Sequence, residues 1–234
     1  MATAKTGPRC VTSSSSKEYN DYREKVYDHA DHASRGGEHV ACFYNTWAGR
    51  YNELHLTGGW CAPTNLAAIA SDVISNKTAR ILDAASGTGM VGAELKGLSF
   101  TCIDALDPSQ DSLDKSKEQQ LYTEYICDTL DEHQTNIPDN HYDAVVMCGA
   151  FGVPGHVSDA CFPELIRITK PGGVIMFTVG ENVLDQCDEK MQASIEALSQ
   201  EGQWDVVEYR WMPYIINEGK NEKAKVPILR VLKK

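Results

Sequence analysis

The run Ala79-Arg80-Ile81-Leu82-Asp83 passes through Ala84, Ala85 and Ser86 into Gly87, Gly89 and Gly92. An apolar strand meets an acidic residue, then small residues and glycines, then helix formers from Met90. Few folds accommodate that order. Glycine supplies the positive φ of a tight turn and lets a ligand approach bare backbone. The helix behind the turn directs its unpaired N–H groups at whatever lies over it. From here on the chain alternates. Strand-type runs fall at 79–83, 100–107, 121–126, 142–148 and 174–179, and helix-type runs open at 90 and cover 109–119, 160–169 and 184–201. The run Ala144-Val145-Val146-Met147 suits a strand buried on both faces. Two further strands, 204–211 and 227–232, are joined by a polar loop. The alternation predicts an α/β fold with a seven-stranded, mainly parallel sheet and helices on both of its faces.

What precedes the first strand is helical in pattern. Residues 1–16, rich in Ser and Thr, read as a flexible tail. Tyr19, Tyr22, Val26 and Tyr27 form an amphipathic stripe that Gly36-Gly37 interrupts. A second helix is expected over 38–51, with Val40, Phe43, Tyr44, Trp47 and Tyr51 on one face, closed by Gly58-Gly59. Pro63 opens a third, with Leu66, Ile69, Ala70 and Val73 inward. Residues 17–77 are therefore expected to form a helical lid on a core at 78–234.

The formal net charge of −11 would repel phosphate backbones, so no nucleic-acid partner is expected. Eight cysteines are scattered without a CxxC pair, which suits reduced thiols. No secretory signal and no apolar run of membrane-spanning length stands out, so the expectation is a cytoplasmic protein without a membrane partner. His29-x-x-His32 and His39-x-x-Cys42 have tetrahedral-site spacing, but helix-surface histidines recur at the same spacing, and no metal is expected.

Gly87-x-Gly89-x-x-Gly92, with Asp107 about 20 residues further on, has the letters of a dinucleotide fingerprint. Two ligand classes use such a loop: a dinucleotide such as NAD, or S-adenosylmethionine. Asp83, at the end of the first strand, would repel a pyrophosphate. It can instead orient an ammonium group. A helical segment ahead of the loop also suits a lid over a methyl donor.

Five pieces in register carry a resemblance. They are Ile81 to Gly89, Leu106-Asp107-Pro108-Ser109 with Leu113, Ile126-Cys127-Asp128-Thr129, Tyr142 to Val146, and Pro163-Glu164-Leu165 through Lys170-Pro171-Gly172-Gly173. Together they resemble a class I S-adenosylmethionine-dependent methyltransferase with a Rossmann-like core. Phe43-Tyr44-x-x-Trp47-Ala48-x-x-Tyr51, Ala62-Pro63 and the 149–165 region are similar to the methyltransferase-like proteins named after the Williams-Beuren deletion region. One departure is Ala85, where the family usually has Gly.

The resemblance implies S-adenosylmethionine as donor and S-adenosylhomocysteine as product. It places Asp83 and the backbone of Ala85, Ser86, Gly87, Thr88 and Gly89 at the methionine end. Asp107, beside Pro108, would accept from both ribose hydroxyls, with Asp104 as its competitor. Asp128 would accept from the adenine amino group beside the Thr129 N–H. Cys148 and Gly149 would floor the sulfonium, and Tyr51 would approach from the lid. Candidates for proton removal are Tyr51 and His156. Tyr44, Trp47, Phe151, Glu181, Trp211 and Tyr214 are candidates for holding the acceptor. The expected reaction is in-line methyl transfer to a small molecule, at N or O rather than S or C, by a monomer or homodimer. The rivals are a non-catalytic donor-binding partner protein and, disfavoured by Asp83, a NAD-dependent oxidoreductase.

Overall fold

The computed structural model describes residues 48–152, 156–217 and 219–232, together with Tyr19, Asp21, Glu24, Ala41, Cys42, Tyr44, Asn45 and Thr46. The elements in chain order are α1 (Tyr51–Thr57), α2 (Ala62–Val73), β1 (Arg80–Ala84), α3 (Met90–Gly97), β2 (Cys102–Leu106), α4 (Gln110–Glu118), β3 (Tyr125–Ile126) and β4 (Tyr142–Met147). A 3-10 turn (Asp159–Cys161) leads into α5 (Phe162–Ile168), β5 (Thr169–Phe177), β6 (Val179–Gly180), α6 (Glu181–Gln200), β7 (Trp204–Asn217) and β8 (Lys220–Val231).

The strands form one sheet, in which β3-β2-β1-β4-β5 are parallel neighbours and β8 follows antiparallel to β5. Val174 faces Arg230 and Val179 faces Lys225, an equal step along both strands. β5 and β6 are thus one strand broken at Thr178, and the sheet has the expected seven-strand layout. The break has a cause: the Thr178 N–H donates to the Met147 carbonyl (3.0 Å), and Thr178 Oγ1 accepts from the Gly149 N–H (2.8 Å).

Alternation along each strand sorts the core into two layers. Ala144 and Val146 of β4 pack with Leu66 and Ala70 of α2, Leu95 of α3 and Leu113 of α4. Val145 and Met147 pack on the other face with Leu165 of α5, Ile195 of α6 and Trp204 of β7. Complete burial of Val145 and Val146 stabilises the fold by about 1.5–3 kcal/mol each. α2, though within the 17–77 segment, is packed in the same core as the sheet.

Several boundaries differ from expectation. The helix expected over 38–51 is interrupted by a turn at 48–50, and α1 starts afresh at Tyr51; Gly49 in a helix interior costs about 1 kcal/mol. β3 keeps only Tyr125–Ile126. The Lys170-Pro171-Gly172-Gly173 turn is looped out of the β4–β5 ladder, which passes from Tyr142↔Thr169 to Ala144↔Val174. β7 and β8 form a long hairpin instead of short strands with a loop; their outer ends alternate with polar residues because one face is solvated. Irregularities at Val206/Glu208 and Pro213/Ile215 re-aim that hairpin. The second lets Cys61 N–H donate to the Tyr214 carbonyl (3.0 Å) and Ile216 N–H to Gly59 (2.9 Å), stitching the base of the N-terminal segment to β7.

Candidate active site

A cavity of about 690 Å³ lies over the carboxyl ends of four neighbouring strands. Ala85, Gly87 and Thr88 line it after β1, Asp107 and Pro108 after β2, Thr129 after β3, and Cys148 and Gly149 after β4. Ligands sit at that end of a parallel α/β sheet. Tyr44 and Tyr51 cover it from the N-terminal side, and His156 enters from the loop after β4.

The loop after β1 is held from both sides. Ser86 N–H donates to Leu106 O (3.0 Å), and Gly87 N–H donates to Asp107 Oδ2 (2.7 Å). Asp107 Oδ1 accepts from Ser109 N–H at 2.8 Å. The three fingerprint glycines then divide by role. A Cβ on Gly87 would meet nothing within 4 Å, so this residue, at φ 52°, leaves clear space at the cavity. A Cβ on Gly89 would come within 2.5 Å of Leu121 Cδ1, and one on Gly92 within 2.4 Å of the Tyr122 ring. Those two glycines accommodate protein behind the loop. Ala85 takes φ 52° as well, the left-handed region where the methyl group is strained.

Two amides tie the N-terminal segment to these loops. Thr88 Oγ1 donates to Asn52 Oδ1, and Ser109 Oγ donates to Asn45 Oδ1 (2.6 Å). The Tyr44 hydroxyl and His156 Nε2 are 2.9 Å apart, with the two rings edge-on at 5.4 Å. Tyr51 stacks on His55 at 3.9 Å, and His55 Nδ1–H donates to the Tyr51 carbonyl (2.9 Å).

Several candidates stand elsewhere. Asp128 accepts from the Thr129 N–H (2.8 Å) and faces His133 Nε2 (3.1 Å); it braces the 128–133 loop, whose Thr129, Leu130 and His133 line the cavity. Asp131, 2.5 Å from His133 Nδ1, raises that imidazole's pKa. Phe151 is a core residue, packed on Phe162 and Phe177 at 5.9 and 4.5 Å. Glu181 is exposed at the start of α6, and Trp211 is exposed on β7. Tyr214 stands outside the lining, behind Gly149 and against Trp60. Gly89, Ser86 and Asp83 do not line the cavity. Asp104 is committed to Arg80 Nε at 2.8 Å. Trp47, His29, His32 and His39 fall outside the described residues; among those described, no group of three His, Cys, Asp or Glu could hold a metal ion. No described helix is long and apolar enough to cross a membrane.

A methyltransferase-domain family model matches residues 81–173, from β1 into β5. The chain is 32% identical over 166 residues to Methyltransferase-like protein 27 of Homo sapiens, covering 70% of this chain and 67% of that protein. The chain belongs to the S-adenosylmethionine-dependent methyltransferase family. A second relative, 33% identical over 119 residues, is a malonyl-acyl-carrier-protein O-methyltransferase of Yersinia pestis; the match covers 48% of this chain and 41% of that one. Among solved structures, the cyclase SpnF shares the fold with a TM-score of 0.65 at 15% identity, over 85% of this chain and 97% of that chain.

Family and fold imply S-adenosylmethionine as the cofactor, and the site's own chemistry suits it. Two buried polar atoms of the β1 loop, Asp83 Oδ1 and Ser86 Oγ, have no protein partner. Gly87 leaves a cradle that a Cβ would fill. Asp107 lines the cavity, and the two N–H groups it accepts leave lone pairs on both oxygens for ribose hydroxyls. Burial pushes Asp107 up to about 6 against the pull of the Ser109 and Gly87 N–H groups. Asp83 is pushed by burial up to about 7, opposed by the Tyr122 hydroxyl and the Gly92 N–H and reinforced by Asp107. Burial also raises the Cys148 thiol, which lines the cavity.

No local signal in the sequence marks Asn45, Asn52 or Tyr122: an Asn on an amphipathic helix reads as solvent-facing, and Tyr122 lies in a strand-like run.

Proposed function

We propose that this methyltransferase acts on a small-molecule acceptor through oxygen or nitrogen, held between the donor loop and the Tyr44–Tyr51–His156 wall. One observation carries the reading: a single cavity is lined by Asp107, by Cys148 and Gly149, and by the Tyr44–His156 pair. When bound, S-adenosylmethionine supplies a methyl group already activated on a sulfonium. The chain's part is then orientation. Asp107 accepts from the ribose hydroxyls. Asp83 offers a buried carboxylate to the ammonium group. The lid amides hold the glycine loop and the Ser109 turn at fixed spacing, so that the acceptor atom is kept in line with the methyl group. The proton leaving an O–H or N–H acceptor passes to the Tyr44–His156 pair, in which the hydroxyl already lies against Nε2.

Calorimetry with S-adenosylhomocysteine and with NAD is the first test. Binding of the thioether, lost by at least about tenfold in Asp107→Ala, is expected. Binding of NAD without the thioether would overturn the reading. Incubation of the protein and labelled donor with a metabolite extract then identifies which mass gains a methyl group; a purified protein that binds donor and labels nothing points to the non-catalytic partner role.

A further inference from the structure

Asp83 sits on the face of β1 that also carries Ile81, in register with Val146 of β4, and Cys148 of the cavity floor packs against the same layer. The carboxylate is 1% exposed, and its two oxygens are held unequally. Oδ2 accepts from the Tyr122 hydroxyl at 2.5 Å, and Oδ1 has no partner. Tyr122 is itself 8% exposed and pinned. Its ring meets Tyr125 edge-on at 5.6 Å, its N–H donates to the Tyr125 hydroxyl (3.2 Å), and it fills the space that Gly92 leaves open. A buried carboxylate normally draws on several donors. Here the Tyr122 hydroxyl is the one side-chain donor, and the Gly92 N–H at the start of α3 faces the same carboxylate.

Resting on the donor reading above, we propose that Tyr122 is a positioning residue of the donor site: its hydroxyl fixes Asp83 Oδ2 beneath the glycine loop and thereby reserves Oδ1 for the ammonium group of the donor's amino-acid end. The third glycine of the fingerprint follows from this arrangement, because any side chain at Gly92 would displace the Tyr122 ring.

The groups facing Asp83 are Tyr122 with Tyr125 behind it, Asp107 from the β2 loop, Cys148 from the loop after β4 and the Gly92 N–H from α3. A hydroxyl that donates to a carboxylate favours its ionised form. Removing it raises the pH at which Asp83 ionises, so an ammonium-bearing ligand loses its partner near neutrality and regains it in alkali.

The test compares two thioethers by calorimetry between pH 6.5 and 9. S-adenosylhomocysteine carries the amino-acid end; 5′-methylthioadenosine lacks it. In Tyr122→Phe, S-adenosylhomocysteine should bind about tenfold more weakly at pH 7 and recover to within about twofold at pH 9, while 5′-methylthioadenosine is unmoved. In the Asp83→Asn background, adding Tyr122→Phe should cost nothing further at any pH between 6.5 and 9. If Tyr122→Phe weakens both thioethers equally, or weakens S-adenosylhomocysteine by the same factor at every pH, the hydroxyl only supports the fold and the proposal fails. If neither thioether binds the unaltered protein, the donor reading fails instead.

Discussion

Ala85→Gly tests whether the donor loop carries strain. Ala85 stands at φ 52°, in the left-handed region, half-buried at the edge of the cavity. Holding an alanine there costs about 1–2 kcal/mol, which glycine removes. Against this, glycine frees the unfolded chain by about 0.4–1 kcal/mol. Loss of a partly buried methyl removes a few tenths of a kcal/mol more, since full burial of such a group is worth about 0.8. The balance is a stabilisation of about 0.5 kcal/mol, or about 1–2 °C in Tm for a chain of this size. The informative comparison is Ala93→Gly, at an exposed position within α3, where the same chemical change should destabilise by about 1 kcal/mol. Urea unfolding of the two variants, read at constant m, should therefore separate them by about 1.5 kcal/mol in opposite directions. If Ala85→Gly lowers stability as much as Ala93→Gly does, Ala85 is not left-handed in solution.

Two further outcomes can be checked on the ligand-free protein. Asp83 and Asp107 are pushed up to about 7 and about 6, above an unfolded value near 3.9. The folded state holds protons that the unfolded state releases, so their contribution is fully present below about pH 4 and is lost as pH rises through 6 and 7. Asp83→Asn should therefore raise stability at pH 8 relative to pH 4.5 by at most roughly 4 kcal/mol, the limit set by a three-unit shift; urea midpoints that move in parallel for both proteins across that range would refute it. At Gly59 a Cβ would fall 2.0 Å from the Ile216 carbonyl oxygen, and φ is 78°. Gly59→Ala should cost more than about 3 kcal/mol, whereas Gly97→Ala, with nothing within 4 Å, should be neutral or slightly stabilising. Thermal unfolding that ranks the two equally would show that the 58–61 stitch to β7 is loose.

How much of this could be read from the letters depends on what kind of position each residue holds. Residues just past a parallel strand are legible, because the sheet decides which end they occupy: Gly87, Asp107, Thr129 and Cys148 all reach the cavity. Which way a loop side chain turns is not legible, because a loop has no period to read. Phe151, two residues after Gly149, turns into the core, and Asp128, one residue before Thr129, turns to His133. Pairings across long separations leave no local trace, which is why Asp83–Tyr122 and Thr88–Asn52 are not legible in the sequence. The glycine fingerprint shows the limit most sharply. Only Gly87 leaves clear space at the cavity, while Gly89 and Gly92 make room for Leu121 and Tyr122. Two of its three letters therefore record how a helix packs behind a loop, and any ligand whose loop needs that packing will produce them. This is why a dinucleotide and a methyl donor share the pattern, and why the discriminating residue is Asp83. Its unpaired oxygen is a liability beside a pyrophosphate and an asset beside an ammonium group.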